Sequence, residues 1–167
     1  MVEISSVYNS TLTGLWLILA TIVVQAMVAI RVHRRQEGGY NVGVIKPELG
    51  QSSFVFRSHR AFQNSLENII PMFGMVIIAM LAGYASFKLA VVVWVYAIAR
   101  IIHMYLYYKI ATDKNPSPRS IFWAIGFLTN IYLIIDLSGA FQSLADFVKK
   151  LESIVSQLES LSVPAFT

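Results

Sequence analysis

Polar and apolar positions in this chain separate on the scale of whole helices. Apolar runs extend from Leu12 to Ile30, from Asn68 to Phe87, from Lys88 to Tyr108 and from Ser120 to Leu137, each close to the roughly 20 residues a helix needs to cross a bilayer. Arg31, His33, Arg34 and Arg35 close the first run, and Gly38, Gly39, Gly43, Pro47 and Gly50 mark a long exposed loop after it. Gly83, Tyr84 and Ser86 suit a short turn between the second and third runs. Asp113, Asn115, Pro116 and Pro118 suit a tight connection leading into a helix at Arg119 or Ser120. From Phe141 to Leu161 the apolar residues recur at three- and four-residue intervals, with Lys149, Lys150, Glu152 and Glu159 between them. That spacing predicts an amphipathic helix, serving either as a coiled-coil-like oligomer contact or as an element on the membrane surface. The pattern as a whole predicts an all-α integral membrane four-helix bundle over residues 1–140, with spans at about 12–32, 60–84, 88–109 and 119–138, and an amphipathic helical tail over 141–167.

Composition agrees with the membrane reading. Of 167 residues, 56% are hydrophobic and only 13% charged, and the mean hydropathy is +0.63, too apolar for an ordinary soluble domain. The absence of cysteine excludes disulfides, thiolate metal sites and a cysteine nucleophile. A net charge of +4 without an extended basic patch does not describe a nucleic-acid binder. The basic residues instead orient the spans. Arg31, Arg34, Arg35, Lys46, Arg57, Arg60, Lys109, Lys114 and Arg119 fall on one side, against Lys88, Lys149 and Lys150 on the other, which predicts that the first side is cytoplasmic and that both termini face away from it. Residues 1–11 lack the basic start and small-residue cleavage site of a secretory signal, so the first segment is expected to be retained.

Two polar stripes interrupt the apolar pattern. Arg60, Asn64 and Glu67 share one face of the second helix at i, i+4 and i+7, and Pro71 follows, freeing the Glu67 carbonyl and tending to kink the helix. Arg100, His103 and Tyr107 form the matching stripe on the third span. Opposed, they make a polar seam in which Glu67 is the expected counterion for Arg100 or Arg60. Because an ionisable group at the bilayer centre costs at least about 2.5 kcal/mol, such residues face the bundle interior or a wet cavity. The seam either fixes helix register as an internal ion pair or binds a ligand. His33, His59 and His103 do not combine into metal-ligand spacing, so no metal is expected. Asp136 receives no role beyond a cap or interfacial residue. Arg119 and Ser120, at a helix start, are either a positive-inside anchor with a helix cap or an anion site. Arg31, Arg60, Arg100 and Arg119 converge near one membrane boundary with Glu67 as the only acid placed to compensate, which favours an anionic ligand.

Taken together, RAFQNSLENIIP on the second helix, ARIIHMYLYY on the third and PRS at the fourth resemble the MAPEG family, the membrane-associated proteins in eicosanoid and glutathione metabolism, over roughly residues 10–138. Arg60, Asn64, Glu67 and Pro71 fill that family's R-x-x-x-N-x-x-E pattern and following proline. Arg100 and Tyr107 match its third-span pair, Arg119 and Ser120 its catalytic Arg-Ser, and Arg31 a basic residue at the end of the first helix. The resemblance implies a homotrimer that binds glutathione between neighbouring protomers. Its implied glutathione-binding residues are Arg31, Arg60, Asn64, Glu67, Arg100, His103 and Tyr107, with Arg119 and Ser120 stabilising the thiolate. It implies a microsomal glutathione transferase-like enzyme, with transferase or peroxidase activity on a lipophilic electrophile or lipid hydroperoxide that arrives through membrane lipid. Sulfur then comes with the substrate, as a chain without cysteine requires. Phe62 and Gln63 stand where prostaglandin E synthase members have His and Arg, and Trp123 where they have Tyr. Asn68 stands where leukotriene-forming members have Tyr. These differences weaken an assignment to either specialised reaction. Two other readings remain open: a non-catalytic member of the fold that binds a lipid or a partner protein, and a small cation transporter with Glu67 as proton carrier, against which the surplus of arginine argues.

Overall fold

The structure, a computed structural model, describes residues 4–36 and 41–162, with the backbone alone for 159–162. Gly38, Gly39, the side chains of Glu159 and Leu161, and residues 163–167 of the expected tail therefore lie outside the described residues. The described chain is helical: α1 (Ile4–Val7), α2 (Asn9–Arg34), α3 (Phe54–Leu81), α4 (Ser86–Lys109) and α5 (Pro118–Ser162). Four of these, α2 to α5, are long and apolar enough to cross a membrane, and no strand occurs among the described residues. Residues up to Leu133 form one compact unit, and those from Ile134 on form a second. In the second, Phe141, Leu144, Phe147, Leu151 and Ile154 are all exposed.

The helix ends follow local chemistry. Gly83 adopts φ 69°, a left-handed conformation that glycine takes without a Cβ clash. The Gly83 amide then donates to Met80 O at 3.2 Å and the Tyr84 amide to Ala79 O at 2.9 Å, a Schellman end that stops α3 and turns the chain into α4. At the start of α5, Pro118 occupies the first helical position, where a missing amide hydrogen costs nothing. Pro71 lies inside α3, where its ring removes the donor that the Glu67 carbonyl would otherwise meet.

In the first unit α2 packs on α3 and α4, and α3 packs on α4. Leu15, Ile18, Ile22 and Gln25 line the inward stripe of α2, spaced as a helix-packing seam requires. Met72, Val76 and Ala79 of α3 and Leu89, Val93 and Tyr96 of α4 complete the apolar core. Trp16, Val23, Ile70, Phe87 and Ile98 are exposed, as lipid-facing side chains of a membrane bundle are. A polar seam crosses this core: Ser65 Oγ donates to Gln25 Oε1 at 2.9 Å and accepts from Arg100 Nη2 at 3.4 Å. Asn130 of α5 donates to Asn68 O at 3.5 Å and to Gly126 O at 3.4 Å.

The up-and-down course gathers the end of α2, the start of α3, the end of α4 and the start of α5 at one end of the bundle. There Arg57 acts as a clamp. Its Nη1 donates to the carbonyls of Gln51 at 2.6 Å and Ser52 at 2.8 Å, and its Nε donates to the carbonyl of Tyr107 at 3.1 Å. The Phe54 ring lies 5.6 Å from its guanidinium carbon and packs edge-on against Tyr108. One guanidinium thereby joins the loop before α3 to the last turn of α4. Arg57→Ala leaves three carbonyls without their charged donor and is expected to lower stability by about 2–4 kcal/mol, read as a loss of thermal stability in detergent. Close approach elsewhere depends on Gly14, where an added Cβ would lie 2.8 Å from Val93 Cγ1. Gly14→Leu is expected to force α2 away from α4 and to cost about 1–3 kcal/mol in the same measurement.

Candidate active site

The polar end of the bundle encloses a cavity of about 510 Å³. Asn64 of α3, His103 and Tyr107 of α4, Arg119, Ser120 and Trp123 of α5, Gln51 from the loop before α3, and residues 112–115 and Ser117 of the α4–α5 loop line it. Arg119 is 6% exposed. Its Nη1 donates to Gln51 Oε1 at 2.8 Å and to Ile110 O at 3.5 Å, and its Nη2 donates to Thr112 O at 2.5 Å. The Tyr107 ring centroid lies 4.3 Å from its guanidinium carbon, a cation–π contact. The Tyr107 ring also packs 4.9 Å from that of His103.

Two features make Arg119 electrostatically unusual. It sits in the first turn of α5, at the positive end of the helix dipole, where an anion is favoured and a cation is not. Among the described residues, every group that touches its guanidinium is neutral: an amide oxygen, two backbone carbonyls and an aromatic face. A buried cation held this way is oriented without being neutralised, which is the arrangement that stabilises charge developing on an entering group.

Ser120 is occupied differently. Its Oγ accepts from the Ser117 amide at 3.2 Å, donates to Asn115 Oδ1 at 3.1 Å and lies 3.4 Å from Ser117 Oγ. This is the reciprocal half of a capping box, with serine in the place usually held by Glu or Gln. The hydroxyl sits on the cavity wall while serving as part of the cap of α5.

Of the nine residues singled out from the sequence, Asn64, His103, Tyr107, Arg119 and Ser120 meet at the cavity and Arg31, Arg60, Glu67 and Arg100 do not line it. Arg31 is exposed in the last turn of α2. Arg60 is half-buried and its Nη1 donates to Gln63 Oε1 at 3.2 Å. Arg100 is 3% exposed in the bundle interior. Its Nη2 reaches Ser65, while Nε and Nη1 have no hydrogen-bond partner among the described residues. Among the described residues the expected contact ion pair between Glu67 and Arg100 or Arg60 is not seen: Glu67 is exposed and acts on Arg100 only at a distance, and both arginines bond to neutral oxygens. The reason is helical phase: α3 turns Ser58, Ala61, Asn64, Ser65, Asn68 and Met72 inward, so Arg60 and Glu67 flank the buried face and only Asn64 of the stripe is on it.

Spacing gave no pointer to Gln51, Thr112 or Arg57 as parts of this site. Gln51 and Thr112 lie in loops without periodicity, and Arg57 reads in sequence as one more cytoplasmic basic residue. No cluster of three or more His, Cys, Asp or Glu among the described residues could hold a metal ion.

No curated protein matches the chain. The model of the MAPEG family matches residues 10–138, a segment that contains the four-helix unit and every residue of the cavity. That family includes glutathione transferases, peroxidases and non-catalytic members and is associated with glutathione use. The chain is an integral membrane protein and belongs to the MAPEG family.

Proposed function

We propose that the protein is a microsomal glutathione transferase-like enzyme in which Arg119 stabilises the glutathione thiolate for attack on a lipophilic electrophile. The observation that carries the reading is the buried, uncompensated charge of Arg119 at the head of α5, on the wall of a cavity large enough for a peptide-sized ligand. Arginine stays protonated, so it cannot remove the thiol proton. That proton leaves to solvent, and Arg119 favours the anion that remains. The thiolate then forms a carbon–sulfur bond with the electrophile, either displacing a leaving group that departs with the bonding pair or breaking an activated double bond whose carbanion takes a proton from water. With a lipid hydroperoxide the same thiolate would attack the peroxide oxygen, releasing the alcohol and leaving an oxidised sulfur that a second glutathione reduces. Ser120 can donate to the thiolate once its hydroxyl turns from Asn115, and Asn64, His103 and Tyr107 surround the remainder of the tripeptide.

The same reading accounts for the residues outside the cavity. Arg31, Arg60 and Glu67 lie toward the protomer surface, where a neighbouring copy in a homotrimer would bring them to a shared glutathione; Arg100 supports the seam from within. Residues 141–167 would form an amphipathic tail beside the 1–140 membrane domain, and the site would face the cytoplasm with both termini opposite, as the distribution of basic residues indicates. A specific observation favours the alternative of a non-catalytic lipid- or partner-binding member: the Ser120 hydroxyl is engaged as a cap. The activity assays separate the two.

Two outcomes test the proposal. Purified protein mixed with glutathione near neutral pH is expected to show the ultraviolet absorption of a bound thiolate, and Arg119→Ala to lose it together with about 100- to 1,000-fold of turnover. Binding of lipid with no thiolate and no conjugation would move the assignment to the non-catalytic alternative. Because the site would be shared, Arg31→Ala and Arg119→Ala protomers, each impaired alone, are expected to recover about a quarter of wild-type activity when co-assembled at random, since one site in four then has both intact halves. Activity no greater than the average of the two separate variants would contradict a shared site.

A further inference from the structure

We infer that Gln51 is a positioning residue whose neutrality matters as much as its reach: it aims the Arg119 guanidinium while leaving its charge available to an anionic sulfur. The inference rests on the proposed role of Arg119 and assigns the part played by the loop before α3.

Three observations converge on Gln51. Its Oε1 is the only side-chain oxygen among the described residues that accepts a hydrogen bond from Arg119; the other acceptors are the backbone carbonyls of Ile110 and Thr112. Side-chain chemistry can tune the guanidinium through hydrogen bonding at this one point. Gln51 is itself held, because its carbonyl accepts from Arg57 Nη1 at 2.6 Å. The same Arg57 holds the Tyr107 carbonyl at 3.1 Å, and the Tyr107 ring lies against Arg119. One clamp therefore fixes both the amide and the aromatic face that orient the cation.

The identity of the group at Gln51 then decides the electrostatics. An amide oxygen and a carboxylate oxygen can accept the same hydrogen bond in the same place. A carboxylate would also form a charge-assisted pair and cancel the arginine charge. The other charged and titratable groups facing the cavity do not replace it: Asp113 and Lys114 in the α4–α5 loop are both exposed and opposite in sign, and α4 contributes His103 and Tyr107. The α3 wall supplies no acid, since Glu67 lies off the cavity.

The test uses the full-length protein in detergent and two probes, glutathione sulfonate, which carries a permanent anion at the sulfur position, and S-methylglutathione, which is neutral there. Isothermal titration of wild type is expected to favour the sulfonate. In Gln51→Glu the sulfonate-to-methyl affinity ratio is expected to fall about tenfold or more, with thermal stability equal to or above that of wild type. Gln51→Met, of similar length but without an acceptor, is expected to lose affinity while still favouring the sulfonate. A Gln51→Glu protein that keeps the wild-type ratio overturns the inference, because an amide needed only for packing or hydrogen bonding tolerates the carboxylate. Failure of wild type to bind either probe overturns the glutathione reading itself, and the inference with it.

Discussion

The structure depends on guanidinium groups buried in an apolar bundle that, among the described residues, hydrogen-bond only to neutral oxygens. Arg57, Arg100 and Arg119 are each less than a tenth exposed, and the hydrogen bonds they make go to carbonyl, amide and hydroxyl oxygens. Removing a cation from water costs several kcal/mol even after relaxation. Neutral acceptors recover the hydrogen bonds without removing the net charge. The three residues meet that cost differently. Arg57 is satisfied by three carbonyls and acts as a mechanical tie between segments distant in sequence. Arg100 uses one nitrogen within the seam of Gln25 and Ser65. Arg119 is satisfied in geometry while its charge faces a cavity.

The helical frame makes these positions possible. Gly126 is placed so that an added Cβ would come within 3.1 Å of Arg100 Cδ, which leaves room for an arginine stem between α4 and α5. The carbonyls that receive Arg57 and Arg119 belong to loops or to the last turn of a helix, where the intrahelical ladder has run out of donors. Helix ends supply unpaired acceptors, and the arginines occupy them. For this reason the cavity and its polar lining lie where four helix termini meet, apart from the seam of Gln25, Ser65 and Arg100 within the spans.

Much of the frame was legible in the amino-acid pattern. The apolar runs locate four helices, Gly83 with Tyr84 and Ser86 marks the turn after the second, and Pro118 belongs to the connection that leads into the fourth, whose helix begins one residue earlier than the expected Arg119 or Ser120. Of the residues that line the cavity, helical spacing marks Asn64, His103 and Tyr107, and a position at a helix start marks Arg119 and Ser120. The position of Glu67 was not legible, because spacing fixes which residues share a face and leaves open which way that face turns. α3 rotates so that Asn64 and Ser65 enter the core and Glu67 does not. Gln51 was beyond reach for another reason. Its contact with Arg119 joins residues far apart in sequence, and nothing local to a loop announces such a partner.

The uncompensated charge of Arg119 also bears on how a reaction at this site would end. A cation that holds sulfur because the sulfur is anionic has no comparable hold on a thioether. On the proposed reading, forming the carbon–sulfur bond removes the charge on which the attraction acts, and the site's affinity at that atom falls in the same step. Release of product would thus begin with the chemistry itself, without a separate moving part.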